Sequence, residues 1–430
     1  MTISTNDSAA IGPLPVPGSG NRIRSIDALR GLVVFTMIFV NYLAGAPKEI
    51  VPGWMRHFPA DGNGMTFVDL VFPAFLFIVG MSIPVSLGGR RSRGEPVWKT
   101  VAHVVIRTLS LLLIGILMVN GSPDSGRMGW SGTLWTVLMF LSAILAFCSL
   151  SPPGRFGSGA RSGSIFPILS TILRVVGFVA LAFLVAAYQG RDGHRILTLT
   201  PFSIHTSWYG ILGLIGWAYL VASIVFLLFR THRTAILGCV VLLMCLYPAD
   251  RAGLFDSFWL NRYVGIGSTL GSQAAITVAG LLLATILVTG ATATARSRTA
   301  FALLFAAGFA AAAILLHGLY GINKNAATPS WCLWACAITA AIWLLLYWLC
   351  DCWPVAFIAR PLSIAGGNVL LAYLISEMLP SVLDLLHLDD WFGRLGQTNL
   401  ACAIGIPAGF AAAILLVTAL LNRAGFRLKL

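Results

Sequence analysis

The sequence predicts an all-α, polytopic integral membrane protein of about 12 transmembrane helices with both termini in the cytoplasm. Three observations carry that expectation. Of 430 residues, 58% are apolar and only 10% are charged, whereas a soluble chain carries roughly a quarter charged residues. Mean hydropathy is +0.87. Apolar runs of spanning length recur from end to end, and twelve spans of ~20 residues take up ~240 positions, leaving enough for short loops.

The chain opens with MTISTNDSAAIGPLPVPGSG, which has neither the charged start nor the apolar stretch of a cleaved signal. Residues 1–21 therefore read as a disordered cytoplasmic tail, and 22–430 as a single transmembrane domain. Hydropathy places the first six spans near 26–46, 66–88, 101–120, 132–151, 166–188 and 207–229. The next six fall near 235–249, 272–290, 299–317, 331–350, 362–382 and 401–421. The seventh is the weakest, because ILGCVVLLMCLYPAD is short for a perpendicular crossing and also suits a re-entrant segment. Were it not to cross, every later loop would change sides.

Charge placement argues that it does cross. There are 28 Lys and Arg against 15 Asp and Glu, a net charge of +13, which invites a nucleic-acid partner until the positions are read. With twelve crossings and the N-terminus inside, nineteen of the 28 basic residues fall on one side, among them Arg22, Arg24, Arg30, Arg90, Arg91, Arg107, Arg155, Arg161 and Arg427. That bias marks membrane orientation, so no nucleic-acid partner is expected. The longest connections, 47–65, 189–206, 250–271, 318–330 and 383–400, all fall on the opposite, outer face, where loops rich in Trp, His, Asp and Asn suit function.

Eight cysteines do not make a disulfide framework. Cys148, Cys239, Cys245, Cys332, Cys336, Cys350 and Cys402 lie in or beside apolar runs and read as small core residues. Cys332 and Cys336 share a helix face, but no His or acid stands at ligand spacing, so no metal is expected. GIGSTLGS at 265–272 lacks the preceding strand and the GK pair of a phosphate loop. GxSxG, HExxH and CxxC motifs are absent from the sequence.

Ionisable groups near a span are functional candidates because lipid penalises them. Asp27 and Arg30 stand three apart on the first turns of span one, with Arg24 three before Asp27, a ladder that suits either a structural ion pair or a phosphate site. Span one ends in Asn41 and Tyr42, span two opens with Asp69, and His57 lies in the loop between. An imidazole exchanges protons near neutrality, and a carboxylate such as Asp69 can fix its tautomer. A solvated loop histidine is the plainer reading, and His194, His205, His317 and His387 share the same face. Asn323, Lys324 and Asn325 offer two amides around a lysine, suited to hydroxyls or an acyl oxygen and equally to a polar turn. In span eleven, Asn368, Ser376 and Glu377 fall within one helical stripe that lines a cavity or bonds a neighbouring helix.

RIRSIDALRGLVVFTMIFVNYLAG, then His57, then NGMTFVDLVFPAFLFIVGMSI resembles the heparan-alpha-glucosaminide N-acetyltransferase family and its bacterial relatives. GILGLIGWAYLVASIVFLL, INKN followed by SW, and GNVLLAYLISE look like later segments of the same family. The resemblance implies a membrane acyltransferase that carries acetyl from cytosolic acetyl-CoA to an amino sugar across the membrane, in a bacterial inner membrane. His57 then stands as the active-site histidine with Asn41 and Asp69 beside it. Acetyl-CoA is expected at Arg30, Asp27, Arg107 and Ser82, and the sugar at Asn323, Lys324, Asn325, Asn368 and Glu377. Whether the histidine is acetylated or acts as a base is left open. The hairpin 132–188 looks like an addition relative to the animal enzymes, and Ser376 stands where the family pattern has a histidine, which bears on the acceptor. A secondary transporter of a small polar solute is the alternative, since twelve spans with both ends inside is a carrier layout. Abundant small residues make a homodimer compatible with the sequence.

Overall fold

A computed structural model describes residues 23–152, 165–200, 202–206, 208–288, 294–353 and 355–430. The expected tail, 1–21, and the turn holding Arg155 and Arg161 lie outside the described residues. The architecture is all-helical apart from two small ribbons. In chain order the elements are α1 (Arg24–Leu43), α2 (Val71–Ser92), α3 (Val97–Val119), α4 (Ser125–Met128), α5 (Gly132–Ala146), β1 (Cys148–Leu150), α6 (Phe166–Ala187), β2 (Leu197–Leu199) and β3 (Phe202–Ile204). They continue as α7 (Gly210–Phe229), α8 (Arg233–Arg251), α9 (Ala274–Val288), α10 (Ala295–Tyr320), α11 (Pro329–Tyr347), α12 (Ala356–Ala365), α13 (Val369–Leu385), α14 (Asp389–Gly396), α15 (Leu400–Arg423) and β4 (Phe426–Leu428). A 3₁₀ turn, Phe67–Leu70, leads into α2, and π-helical turns Ile266–Gln273 and Trp348–Cys352 extend α9 and α11.

Each expected span falls on a helix, but among the described residues ten helices are long and apolar enough to cross, or eleven if α13 and α14 count as one broken span. Two causes account for the difference from twelve. Helix α5 has only 15 residues, about 22 Å at the helical rise. Helices α13 and α14 meet at 107°, and His387 at the break takes a left-handed φ of 56°.

Cross-loop hydrogen bonds establish which loops share a face. Gly64 N donates to Ile322 O at 2.9 Å, joining the loop after α1 to the loop after α10. Arg24 N and Ser25 N donate to Asp351 at 3.1 and 3.2 Å, joining the start of α1 to the end of α11. On the α1-start face β1 also pairs antiparallel with β4. The first of these links needs an even number of crossings between the two loops, which α5 and α8 give when both cross or neither does; α8, at 19 residues, is among the helices long and apolar enough to cross.

Burial follows the same plan. The stretch Ile266–Leu287 is 94% buried, against 22% for α6, α8, α10 and α15, so α9 is the central post and those four face outward. That explains the cysteines: Cys148, Cys332, Cys336 and Cys350 are buried, but Cys239 and Cys402 are only partly so and Cys245 is exposed, because α8 and α15 are peripheral. Helix α9 packs on α2 through reciprocal glycines. A Cβ at Gly80 would stand 1.8 Å from Thr277 O, and one at Gly280 would stand 2.0 Å from Phe77 O. Such backbone approach is how membrane helices gain contact without a hydrophobic drive between them.

Gly80→Leu is expected to lose about 1–3 kcal/mol or more through overpacking, seen as a lowered Tm in detergent. Gly308→Ala, where an added Cβ meets nothing within 4 Å, is the control and leaves Tm unchanged or slightly raised.

Candidate functional site

The site is built from two loops of one face and the start of α2. Thr66 caps the 3₁₀ turn Phe67–Leu70, its hydroxyl accepting from Val68 N while Asp69 Oδ2 accepts from Thr66 N at 3.0 Å. The Thr66 hydroxyl also donates to Arg56 O at 2.7 Å, which draws the chain before it inward. Phe58 N donates to the same Asp69 oxygen at 3.0 Å. These contacts turn residues 56–66 into a closed loop around one carboxylate.

His57 is thereby presented to that carboxylate. Its Nδ1 lies 2.8 Å from Asp69 Oδ1; the His57 side chain is 47% exposed and that of Asp69 only 1%. Lys324 arrives from the loop after α10, with Nζ 2.9 Å from His57 Nδ1 and 3.2 Å from Asp69 Oδ1. A buried carboxylate is tolerated only when donors replace its lost hydration. Here two backbone N–H groups and an ammonium do so, joined by the imidazole in the tautomer that carries hydrogen on Nδ1.

The second loop is clasped to the first. Asn63 Oδ1 accepts from Ile322 N at 2.7 Å, and Asn323 Nδ2 donates to Ala60 O and Gly62 O at 2.6 and 3.2 Å. Asn323 Oδ1 also accepts from Ala326 N at 2.8 Å. Asn323 is therefore a brace whose amide is engaged within the loops, a different use from the expected sugar contact. Lys324, the exposed Asn325 and Phe58 line a small, shallow recess between the loops.

Asn41 and Glu377 form a separate pair. Asn41 Nδ2 donates to Glu377 Oε1 at 3.1 Å, and next to it Tyr42 OH donates to Ser376 O at 2.8 Å. Asn41 lies near the end of α1 and Glu377 lies in α13, so the pair ties those helices together. Asn368 does not join them. It is the N-cap position of α13 and holds β4, donating to Phe426 O at 3.3 Å and accepting from Leu428 N at 3.4 Å. That is the opposite end of α13 from the bend, and the expected acceptor role is replaced by a contact with the C-terminal ribbon.

Of the residues expected at the donor, three meet. Arg30 pairs with Asp27 at 3.0 Å and donates to the Ser82 hydroxyl, which passes its own hydrogen to Ile78 O at 2.7 Å. Arg107 stands apart on α3, its guanidinium 4.7 Å from the Tyr219 ring centroid on α7. Its Nε, with Tyr219 OH and Ser223 Oγ, is buried without a hydrogen-bond partner. Asp250 accepts from Gly267 N at 3.1 Å, so the first turn of the GIGSTLGS segment already carries a carboxylate where a phosphate would have to sit.

The other outer histidines have different surroundings. His194 and His205 stack with ring centroids 3.9 Å apart. Burial pushes the Tyr188 hydroxyl above its ordinary value, leaving it protonated to donate to His194 Nε2 at 3.4 Å. Among the described residues, His57 is the histidine paired with a carboxylate.

Fold and site together define a polytopic helical membrane protein with a histidine–carboxylate–lysine cluster clasped between two loops of one face. The profile of the family described as Domain of unknown function (DUF5009) matches residues 22–253, more than half of the chain, and the chain belongs to that family. It is also similar to two curated proteins named heparan-alpha-glucosaminide N-acetyltransferase. The Mus musculus protein is 35% identical over 152 residues, 34% of this chain and 22% of the relative. The Homo sapiens protein is 37% identical over 148 residues, 33% and 21% respectively. The match thus spans about a fifth of the relatives' length. These similarities bear out the family resemblance read from the sequence.

Asp69→Ala leaves Phe58 N and Lys324 without their carboxylate and is expected to cost about 2–3 kcal/mol. The check is a lowered Tm together with faster proteolysis within 47–65, where Asp61→Ala changes neither.

Proposed function

We propose that the protein is a transmembrane acetyltransferase that moves the acetyl group of cytosolic acetyl-CoA to the amino group of a glucosamine-type sugar on the opposite face, in the inner membrane of a bacterium. The observation that carries this reading is the 2.8 Å contact of His57 Nδ1 with the buried Asp69 carboxylate, in a chain whose relatives are named as N-acetyltransferases. With Nδ1–H donated to Asp69, Nε2 keeps a lone pair and serves as a general base.

The chemistry then runs as follows. The amine nitrogen attacks the thioester carbonyl, a C–N bond forms, and Nε2 takes the proton that nitrogen sheds. The tetrahedral oxyanion collapses, the C–S bond breaks, and the leaving sulfur departs as the thiol with the proton held on the ring. Asp69 steadies the imidazolium in between. Asn41 has two amide hydrogens, one committed to Glu377, and the other is free to meet the oxyanion. Glu377 thereby orients the amide.

The Arg30, Asp27 and Ser82 cluster, two turns inside the start of α1, suits the phosphates and amides of the donor. Buried Tyr219 OH and Ser223 Oγ without partners supply further polar lining between α3 and α7. Asn325 and Lys324 at the recess present a donor, an acceptor and a cation to sugar oxygens.

The test follows thiol release from acetyl-CoA with glucosamine in proteoliposomes. His57→Ala is expected to lower kcat by about 10²–10⁴, and Asn41→Ala by about 10²–10³. Full acetyl transfer by His57→Ala would discard the assignment, and counterflow of unmodified sugar without thiol release would move the protein to the carriers.

A further inference from the structure

The 2.9 Å contact of Lys324 Nζ with His57 Nδ1 has no part in the acyl-transfer scheme. His57 Nδ1 lies 2.8 Å from Asp69 Oδ1 and 2.9 Å from Lys324 Nζ. An imidazole nitrogen carries in the ring plane either a hydrogen or a lone pair, a carboxylate can only accept, and an ammonium can only donate. The two contacts therefore belong to two different tautomers. With hydrogen on Nδ1 the ring donates to Asp69 and Nε2 is free. With Lys324 donating to Nδ1 the hydrogen sits on Nε2, which then cannot take a proton.

The three groups differ in freedom. Asp69 is 1% exposed and held by the N–H groups of Phe58 and Thr66. Lys324 is 29% exposed, hangs on a flexible four-carbon stem, and lines the recess together with Asn325. It is the member able to move, and the recess is where it can move to.

We propose that Lys324 is a positioning residue that sets the tautomer of His57. At rest it donates to Nδ1 and holds the ring in the Nε2–H form. An oxygen-rich acceptor entering the recess draws the ammonium onto its hydroxyls, and solvent then removes the Nε2 proton and returns one to Nδ1, with no net change of charge. Nδ1–H turns to Asp69, and Nε2 is left with its lone pair. The base thus forms only when the acceptor is in place. This consequence rests on the acetyltransferase reading, while the tautomer itself does not.

The experiment uses full-length protein in lipid nanodiscs with ¹⁵N-labelled histidine, the His57 ring signals being those lost in His57→Gln. The wild type without sugar is expected mainly as the Nε2–H tautomer, Lys324→Met mainly as the Nδ1–H tautomer, and the wild type with saturating glucosamine shifted toward the Lys324→Met pattern. A wild type already in the Nδ1–H form, or ring signals unaltered by Lys324→Met, overturns the proposal. In the acetyl-transfer assay Lys324→Met should raise KM for glucosamine about tenfold, the loss of one hydrogen bond to a charged group, with kcat held or raised. A fall in kcat at unchanged KM counts against it. If the wild type transfers no acetyl group, the proposed function falls, and the nitrogen spectra still decide the role of Lys324.

Discussion

The loop site depends on burying one carboxylate. Removing Asp69 from water costs several kcal/mol unless charge-assisted hydrogen bonds replace the lost hydration, and the surrounding chain is arranged to supply them. Phe58 N and Thr66 N on Oδ2 close the loop, while His57 and Lys324 on Oδ1 bring in a side chain from either side of it. The position of His57 is a consequence of that satisfaction, because residue 57 precedes a backbone N–H that the carboxylate already holds. The Asn63 and Asn323 contacts then fix the second loop, so that Lys324 meets the pair from 267 residues away in sequence.

A scaffold has to hold these loops in register across many helices, and the close packing at its centre does so. Helix α9 is buried almost throughout, and its glycine contact with α2 leaves no room for sliding. Since Asp69 lies one 3₁₀ turn before α2, rigidity at Gly80 and Gly280 passes directly to the carboxylate. The peripheral helices α6, α8, α10 and α15 expose apolar faces suited to lipid. The bundle therefore divides into a fixed middle that carries the site and an outer ring that seats it in the membrane.

Much of this was legible in the sequence because lipid imposes a simple code. Hydropathy located each candidate span, and α8, whose crossing the Lys and Arg bias favours, is long and apolar enough to be one. The bend between α13 and α14 was not legible, since hydropathy measures composition and the break arises at one left-handed residue, His387. The proximity of His57 and Asp69 followed from family resemblance and from chemistry, as an imidazole and a carboxylate flank one short loop. The approach of Lys324 did not, because a cation in a polar turn carries no local sign of its partner. Asn368 misled for a related reason. A stripe drawn along α13 treats its first residue as one more helical position, while a side chain at an N-cap is free to bond backbone beyond the helix, here the C-terminal ribbon.

On the proposed acetyltransferase reading, the geometry of α1 bears on how a donor and an acceptor held on opposite faces would meet. Arg30 and Asn41 are eleven positions apart on that helix, about 16 Å at the helical rise, whereas the hydrocarbon core is ~30 Å thick. Arg30 already lies two turns inside one end of α1, and Asn41 lies just inside the other. The apolar stretch a thioester arm has to cross is thereby shortened to roughly half of the membrane, and the ends of that stretch are marked by the Asp27, Arg30 and Ser82 cluster and by the Asn41 and Glu377 pair. Both polar ends belong to the helix pair α1 and α2 or its immediate partner α13, the same elements that carry Asp69. On the acetyltransferase reading, the reaction needs no large rearrangement of the bundle, because the distance is closed by polar groups set into the helices from each side.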